Sequence, residues 1–303
     1  MVVWRIYDGK PGHDNQSRGL VNALKRQTQH LRCFDIAAEK LHAGILNLVF
    51  GRYPPGRDLD PPDLIVGAGR RTHLSLLCAK RARGGKIVVI MKPSLPLIFF
   101  DYAIIPAHDS PKPGDCILIT EGAINPLTLS MQHDRGRGLI LLGGPSKHYD
   151  WDGPDILARI RSILEKHPEI RWDITDSPRT PDCFSEQLAG LNDENALYHS
   201  WKDVSRDWLL QQLQNVAYTW VSEDSISMVY ESLTAGTATG ILSVGQRKTG
   251  KIPANIRRLR DKGMVTTYED WLSGRHLSSP REQLDEAGRS AAWLLERLAA
   301  HAG

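Results

Sequence analysis

Short, continuous apolar runs closed by glycine, proline or polar turns alternate along this chain with stretches of helical spacing. In the first half the runs fall at residues 2–7, 31–35, 63–66, 86–91 and 102–106. Between them, residues 17–29 put Leu20, Val21 and Leu24 on one helical face, and Thr72 stands as an N-cap for a helix over 72–83. The pattern restarts after a polar stretch at 131–138 (MQHDRGRG). Strands are predicted at 138–142, 172–175, 196–199, 218–221 and 239–244, and helices at 155–167, 183–191, 208–215 and 225–234. An amphipathic helix is predicted over 280–300. Unbroken apolar strands are what a parallel sheet covered on both faces requires. The expectation is α/β: two Rossmann-like doubly wound parallel-sheet domains, 1–137 and 138–279, followed by a helical tail, 280–303. Residues 41–50 (LHAGILNLVF) are unusually apolar and read as a core helix in preference to a membrane-surface one.

Composition narrows the class. The four cysteines, Cys33, Cys78, Cys116 and Cys183, show no CxxC spacing, which argues against a zinc site or a disulfide framework. The amino terminus enters a strand directly, and no apolar run approaches the ~20 residues of a bilayer span. A cytoplasmic protein is expected, at most peripheral at the inner membrane. Net charge is +3, but residues 1–137 carry 19 Lys+Arg against 12 Asp+Glu, and 138–303 carry 19 against 23. A basic first half suits an anionic partner, phosphates or a lipid surface. Nucleic acid is not expected.

In a doubly wound sheet, ligands bind outside the carboxyl ends of the strands. Four such ends in the second half carry candidate chemistry. Gly143 and Gly144 end a strand and let backbone amides approach a phosphate, with Ser146 and Lys147 close by. Ser177 and Arg179 follow the next strand, where a guanidinium suits bidentate phosphate recognition. Ser200 and Trp201 offer a place for a nucleobase. Ser222, Asp224, Ser225, Ser227 and Met228 open a helix whose unpaired amides and dipole favour a diphosphate, and Glu231, two turns on, suits ribose hydroxyls. Gln246, Arg247 and Lys248 follow a further strand, where Gln246 and Lys248 are placed to meet a sugar or its phosphates.

In the first half, Gly9, Lys10 and Gly12 form a tight loop, and His13, with Asp14 beside it, stands where a general base could deprotonate an acceptor hydroxyl. Arg70, His73 and Lys92 follow later strands on the acceptor side.

The segments DGKPGHDNQSRGL, GAGRRTHLSLL, LLGGPSKH, TDSPRTP and VSEDSISMVYES together resemble the mitochondrial-fission family named for elongated mitochondria, of which bacterial members exist. That family resembles GT-B glycosyltransferases. The resemblance implies two Rossmann-like domains facing a cleft, a nucleotide-sugar donor in the second domain, an acceptor in the first, and a tail helix crossing back. By position it places Glu231 on the ribose, the Ser222–Ser227 turn on the diphosphate, and His13 as base. Three readings stay open. One is a metal- and cofactor-independent glycosyltransferase acting on a cell-envelope or lipid-linked glycan. The others are a non-catalytic adaptor and a nucleotide-sugar epimerase.

Overall fold

The computed structural model describes residues 1–245, 251–280 and 282–302. They form two compact units, Met1–Pro126 with the C-terminal helix, and Leu127–Leu284.

The first unit holds a sheet of β1 (Val2–Tyr7), β2 (Arg32–Ala37), β3 (Leu64–Ala68), β4 (Lys86–Ile90), β5 (Tyr102–Pro106) and β6 (Ile117–Thr120). All pairings are parallel, in the order β2-β1-β3-β4-β5-β6. The order reverses between β1 and β3, which opens a crevice at their carboxyl ends. Its first helices are α1 (Pro11–Gln27), α2 (Leu41–Val49) and α3 (His73–Arg83). Helix α1 starts six residues before its expected start, because Pro11 suits the first helical turn, where its missing N–H costs nothing.

The second unit carries β7 (Asp134–Leu141), β8 (Arg171–Thr175), β9 (Ala196–His199), β10 (Val216–Ser222), β11 (Ala238–Leu242) and β12 (Thr266–Thr267). The order is β12-β11-β10-β7-β8-β9, again parallel throughout, with its reversal between β7 and β10. Its helices are α4 (Gly153–Lys166), α5 (Asp182–Ala189), α6 (Arg206–Asn215), α7 (Ile226–Ala235), α8 (Lys251–Asp261) and α9 (Tyr268–Leu272). Helix α10 (Glu286–Ala302) closes the chain and packs in the first unit. There it buries Ala291 and Leu294, and Gln27 on α1 donates to the Gly288 carbonyl at 2.9 Å.

Two expectations are corrected. The stretch at 131–138 is no linker: β7 already begins at Asp134, and its polar start belongs to the exposed end of the strand, with Arg137 Nη2 2.6 Å from Asp173 on β8. The boundary lies earlier, because Ile124 is buried in the first core while Leu127 is buried in the second. Nor is α2 a core helix. Gly44 is its one buried residue, and Leu41, Val49 and Phe50 just beyond it are each 65% exposed.

Candidate functional site

In the second unit the topological reversal brings the ends of β7 and β10 together with the start of α7. Ser222, Asp224 and Ser225 are buried there. The Gly143 amide donates to Ser222 Oγ at 2.7 Å and the Gly144 amide to Asp224 Oδ2 at 3.0 Å. Arg179 Nη2 reaches Asp224 Oδ2 at 2.7 Å and Ser225 Oγ at 2.9 Å, while Nη1 donates to the Gly144 carbonyl at 3.0 Å. Ser177 Oγ donates to the Gly143 carbonyl at 2.9 Å, and Thr180 donates to the same oxygen.

This corrects the reason for the two glycines. Their amides serve the protein itself, and a Cβ on Gly143 would lie 2.1 Å from Asp224 Oδ2, one on Gly144 2.1 Å from the Arg179 carbonyl. What remains beside them is the first turn of α7, whose N-cap Ser225 makes no side-chain capping bond, and the half-exposed Arg179. Ser227 is exposed on that turn. Met228 is turned partly into the core. Ser146 caps its own turn, accepting from the His148 amide at 3.2 Å, and Lys147 is exposed.

Glu231 is 4% exposed and ion-pairs with Arg206 on α6, while its Oε2 has no hydrogen-bond partner among the described residues. Burial pushes its carboxyl up from the ordinary range, and Arg206 opposes that shift. Asp176 is buried and accepts from Tyr198 OH at 2.9 Å, Ser185 Oγ at 2.6 Å and the Trp201 amide at 2.7 Å. It thereby fixes the loop that presents the partly exposed Trp201 ring. Ser200 accepts from the Lys202 amide at 3.4 Å in that loop. Gln246, Arg247 and Lys248 lie outside the described residues.

In the first unit, Asp8 ends β1 with its carboxylate fully buried and accepts from His13 Nδ1 at 3.0 Å. With its proton on Nδ1 toward Asp8, the ring would present the Nε2 lone pair. Gly9 turns the chain at φ +75°, and the Lys10 amide bonds Asp8 at 3.1 Å. Gly12 lies exposed in the first turn of α1. Asp14, expected beside the base, is not its partner. It is set toward Arg5, burial raises its pKa, and its Oδ1 has no hydrogen-bond partner among the described residues.

Asp8 opens onto a cavity of about 730 Å³ at the carboxyl ends of β1, β2 and β3. Lys40, Arg70 and Arg71 supply charge to it, and Leu41, Ile45, Leu74 and Leu95 an apolar wall. His73 also lines it, but its ring is buried against Phe100 and its Nδ1 stands 3.4 Å from Ser94 Oγ. Burial lowers its pKa, and the charge of Arg70 acts the same way. Lys92 donates instead to the Asp109 carbonyl at 3.3 Å and is not among the lining residues.

A family model described as mitochondrial fission ELM1 matches residues 11–298. The chain belongs to that family. A protein of Rickettsia prowazekii described as uncharacterised is 27% identical over 294 residues, 78% of this chain and 81% of its own. UDP-GlcNAc 2-epimerase from Neisseria meningitidis, solved with UDP-GlcNAc bound, superposes with a TM-score of 0.57 at 10% identity. The match covers 99% of this chain and 100% of that one. The ADP-heptose lipopolysaccharide heptosyltransferase II of Escherichia coli gives 0.53 at 10% identity, covering all of both chains. The ELM1-family chain therefore has a GT-B glycosyltransferase-like fold.

Sequence reasoning missed several residues in this ELM1-family chain. Asp8 carried a readable signal, an aspartate at a strand end five residues before a helix-start histidine. Arg206, Asp176 and Thr180 carried none, since each acts on a partner distant along the chain. Two Asp-x-Asp triplets occur, at 58–60 and 150–152. Asp60 pairs with Arg32 at 2.5 Å and Asp152 caps α4 through the Asp155 amide at 3.1 Å.

Proposed function

We propose that this chain is a glycosyltransferase that takes a nucleotide-diphosphate sugar in its second unit and passes the sugar to a hydroxyl of a cell-envelope or lipid-linked glycan. The observation that carries this reading is the Asp8–His13 pair at the end of β1, whose Asp8 lines the cavity there. His13 Nε2 takes the acceptor hydroxyl proton. The acceptor oxygen bonds to the anomeric carbon, the bond from that carbon to the diphosphate breaks, and its electron pair leaves on the diphosphate. The positive end of α7 and Arg179 meet that developing charge, with no metal or cofactor in the scheme. Glu231 Oε2, buried and without a hydrogen-bond partner among the described residues, supports the ribose role.

A second reading, a nucleotide-sugar epimerase, is favoured by Glu223. Burial at the end of β10 raises its pKa to about 6, where a carboxyl can give or take a proton near neutrality.

A thermal-shift panel of nucleoside diphosphates and their sugars, followed by turnover assays, tests these readings. A bound ligand raises the melting temperature by mass action, so at least one nucleotide is expected to do so, and less in Glu231→Ala. A flat response would sink the donor-site reading. Binding without transfer or hydrolysis would leave an adaptor, and a new sugar isomer formed without acceptor would identify an epimerase.

A further inference from the structure

We propose that α2 and the loop at 95–99 dock the first unit onto the surface of an anionic lipid bilayer. Gly44 turns inward on α2: its carbonyl accepts from Cys78 Sγ at 3.2 Å, and a Cβ there would lie 2.6 Å from Leu74 on α3. The outward residues are Leu41, Ile45, Leu46, Val49 and, just past the helix, Phe50, all exposed. The second segment, Leu95-Pro96-Leu97-Ile98-Phe99, exposes all four of its large apolar side chains, Ile98 at 89%. Both segments wall one cavity, through Leu41, Ile45 and Leu95, so they form neighbouring parts of one face. Scattered exposed leucines need no explanation, but two clustered apolar segments do.

Charge selects the occupant. Lys40 and Arg52 flank α2 and Lys92 precedes the second segment, all three exposed, while the acidic residues at the shared cavity are Asp8 and Glu39. Arg70 and Arg71 line the shared cavity. A basic border around protruding apolar side chains complements phosphate headgroups over acyl chains, and each Lys or Arg near such a surface adds to the attraction. Among the described residues no helix is long and apolar enough to cross a membrane. At nine residues α2 suits lying in the interface. The two segments wall the cavity onto which Asp8 opens, but lipid docking does not depend on the nucleotide-sugar reading.

The test is co-sedimentation of the full chain with phosphatidylcholine vesicles, with and without about one-third phosphatidylglycerol. Binding to the anionic vesicles is expected to be at least ~10-fold tighter and to weaken at high salt. The double variant Leu46→Glu, Ile98→Glu should lose at least ~10-fold in binding with its melting temperature unchanged, because both side chains already face solvent. Arg52→Glu should weaken binding about 5-fold. No binding to either vesicle, equal binding to both, or a double variant that binds like wild type would overturn the proposal. So would a dimer that the double variant dissolves in a protein that ignores vesicles.

Discussion

The carboxylate of Asp8 stands 3.0 Å from Nδ1 of His13 and joins the end of β1 to the first turn of α1. The aspartate side chain is buried while that of the histidine is partly open. Asp8→Asn should preserve this packing but lose control of the tautomer, so Nε2 no longer offers a lone pair. Turnover is expected to fall about 10²–10⁴-fold with nucleotide affinity unchanged. Kinetics paired with calorimetric titration of the nucleotide check this; equal loss of affinity would show that the pair acts on binding.

Gly69, which follows β3 at φ +83°, lies against the Nδ1–Cε1 edge of the His13 ring. A Cβ at Gly69 would lie 2.2 Å from ring atoms Cε1 and Nδ1. Gly69→Ala therefore strains the backbone and pushes the imidazole off Asp8. A stability loss of about 1–3 kcal/mol is expected, together with a fall in turnover. Denaturant unfolding and activity assays measure the two effects; full activity in the variant would show that the ring tolerates displacement.

The parallel sheets and the strand-end positions of the site were legible because both depend on local pattern: apolar runs, glycine turns and helix starts. The Ser222–Ser225 cluster was recognisable for that reason. What Gly143 and Gly144 do was not, since Asp224 Oδ2 and the Arg179 carbonyl arrive from residues 35–81 positions away along the chain. The exposure of α2 was equally hidden. Apolar composition says that a helix seeks burial, whereas only the packing of Gly44 on Leu74 shows how little of it the first unit covers. The boundary was misplaced because Arg137 is polar for its ion pair with Asp173, and in sequence that looks like a linker.

Glu223 gives the fold a pH dependence of definite sign. Burial raises its pKa from 4.5 to about 6, so between those values the folded state holds more proton than the unfolded chain. Stability therefore falls as pH rises through that window and remains lower above it, by about 2 kcal/mol. Glu223→Gln keeps an acceptor for the Val244 amide, now 2.9 Å from Glu223 Oε1, and removes the titration. The variant should melt higher than wild type at pH 7 and match it near pH 4.5. Parallel melting curves at the two pH values, with wild type the more stable at pH 7, would contradict this.

Asp224 places a fully buried carboxylate on the groups that an incoming diphosphate would use, Arg179 at 2.7 Å and the Gly144 amide at 3.0 Å. Its Oδ1 has no hydrogen-bond partner among the described residues. An anion at the start of α7 must share Arg179 with this charge. Asp224→Asn keeps the shape and an acceptor for Gly144, and removes the carboxylate charge from the Arg179 guanidinium, which keeps its bonds to the Gly144 carbonyl and Ser225 Oγ. The folded state should lose about 1.5–3 kcal/mol with its charge-assisted bonds. Nucleoside diphosphate affinity should nevertheless rise about 10-fold, since one like charge near the ligand is removed. Calorimetric titration decides: tighter binding in a less stable protein fits competition for Arg179, whereas a 10-fold weaker affinity would make Asp224 the residue that aims Arg179 at its ligand.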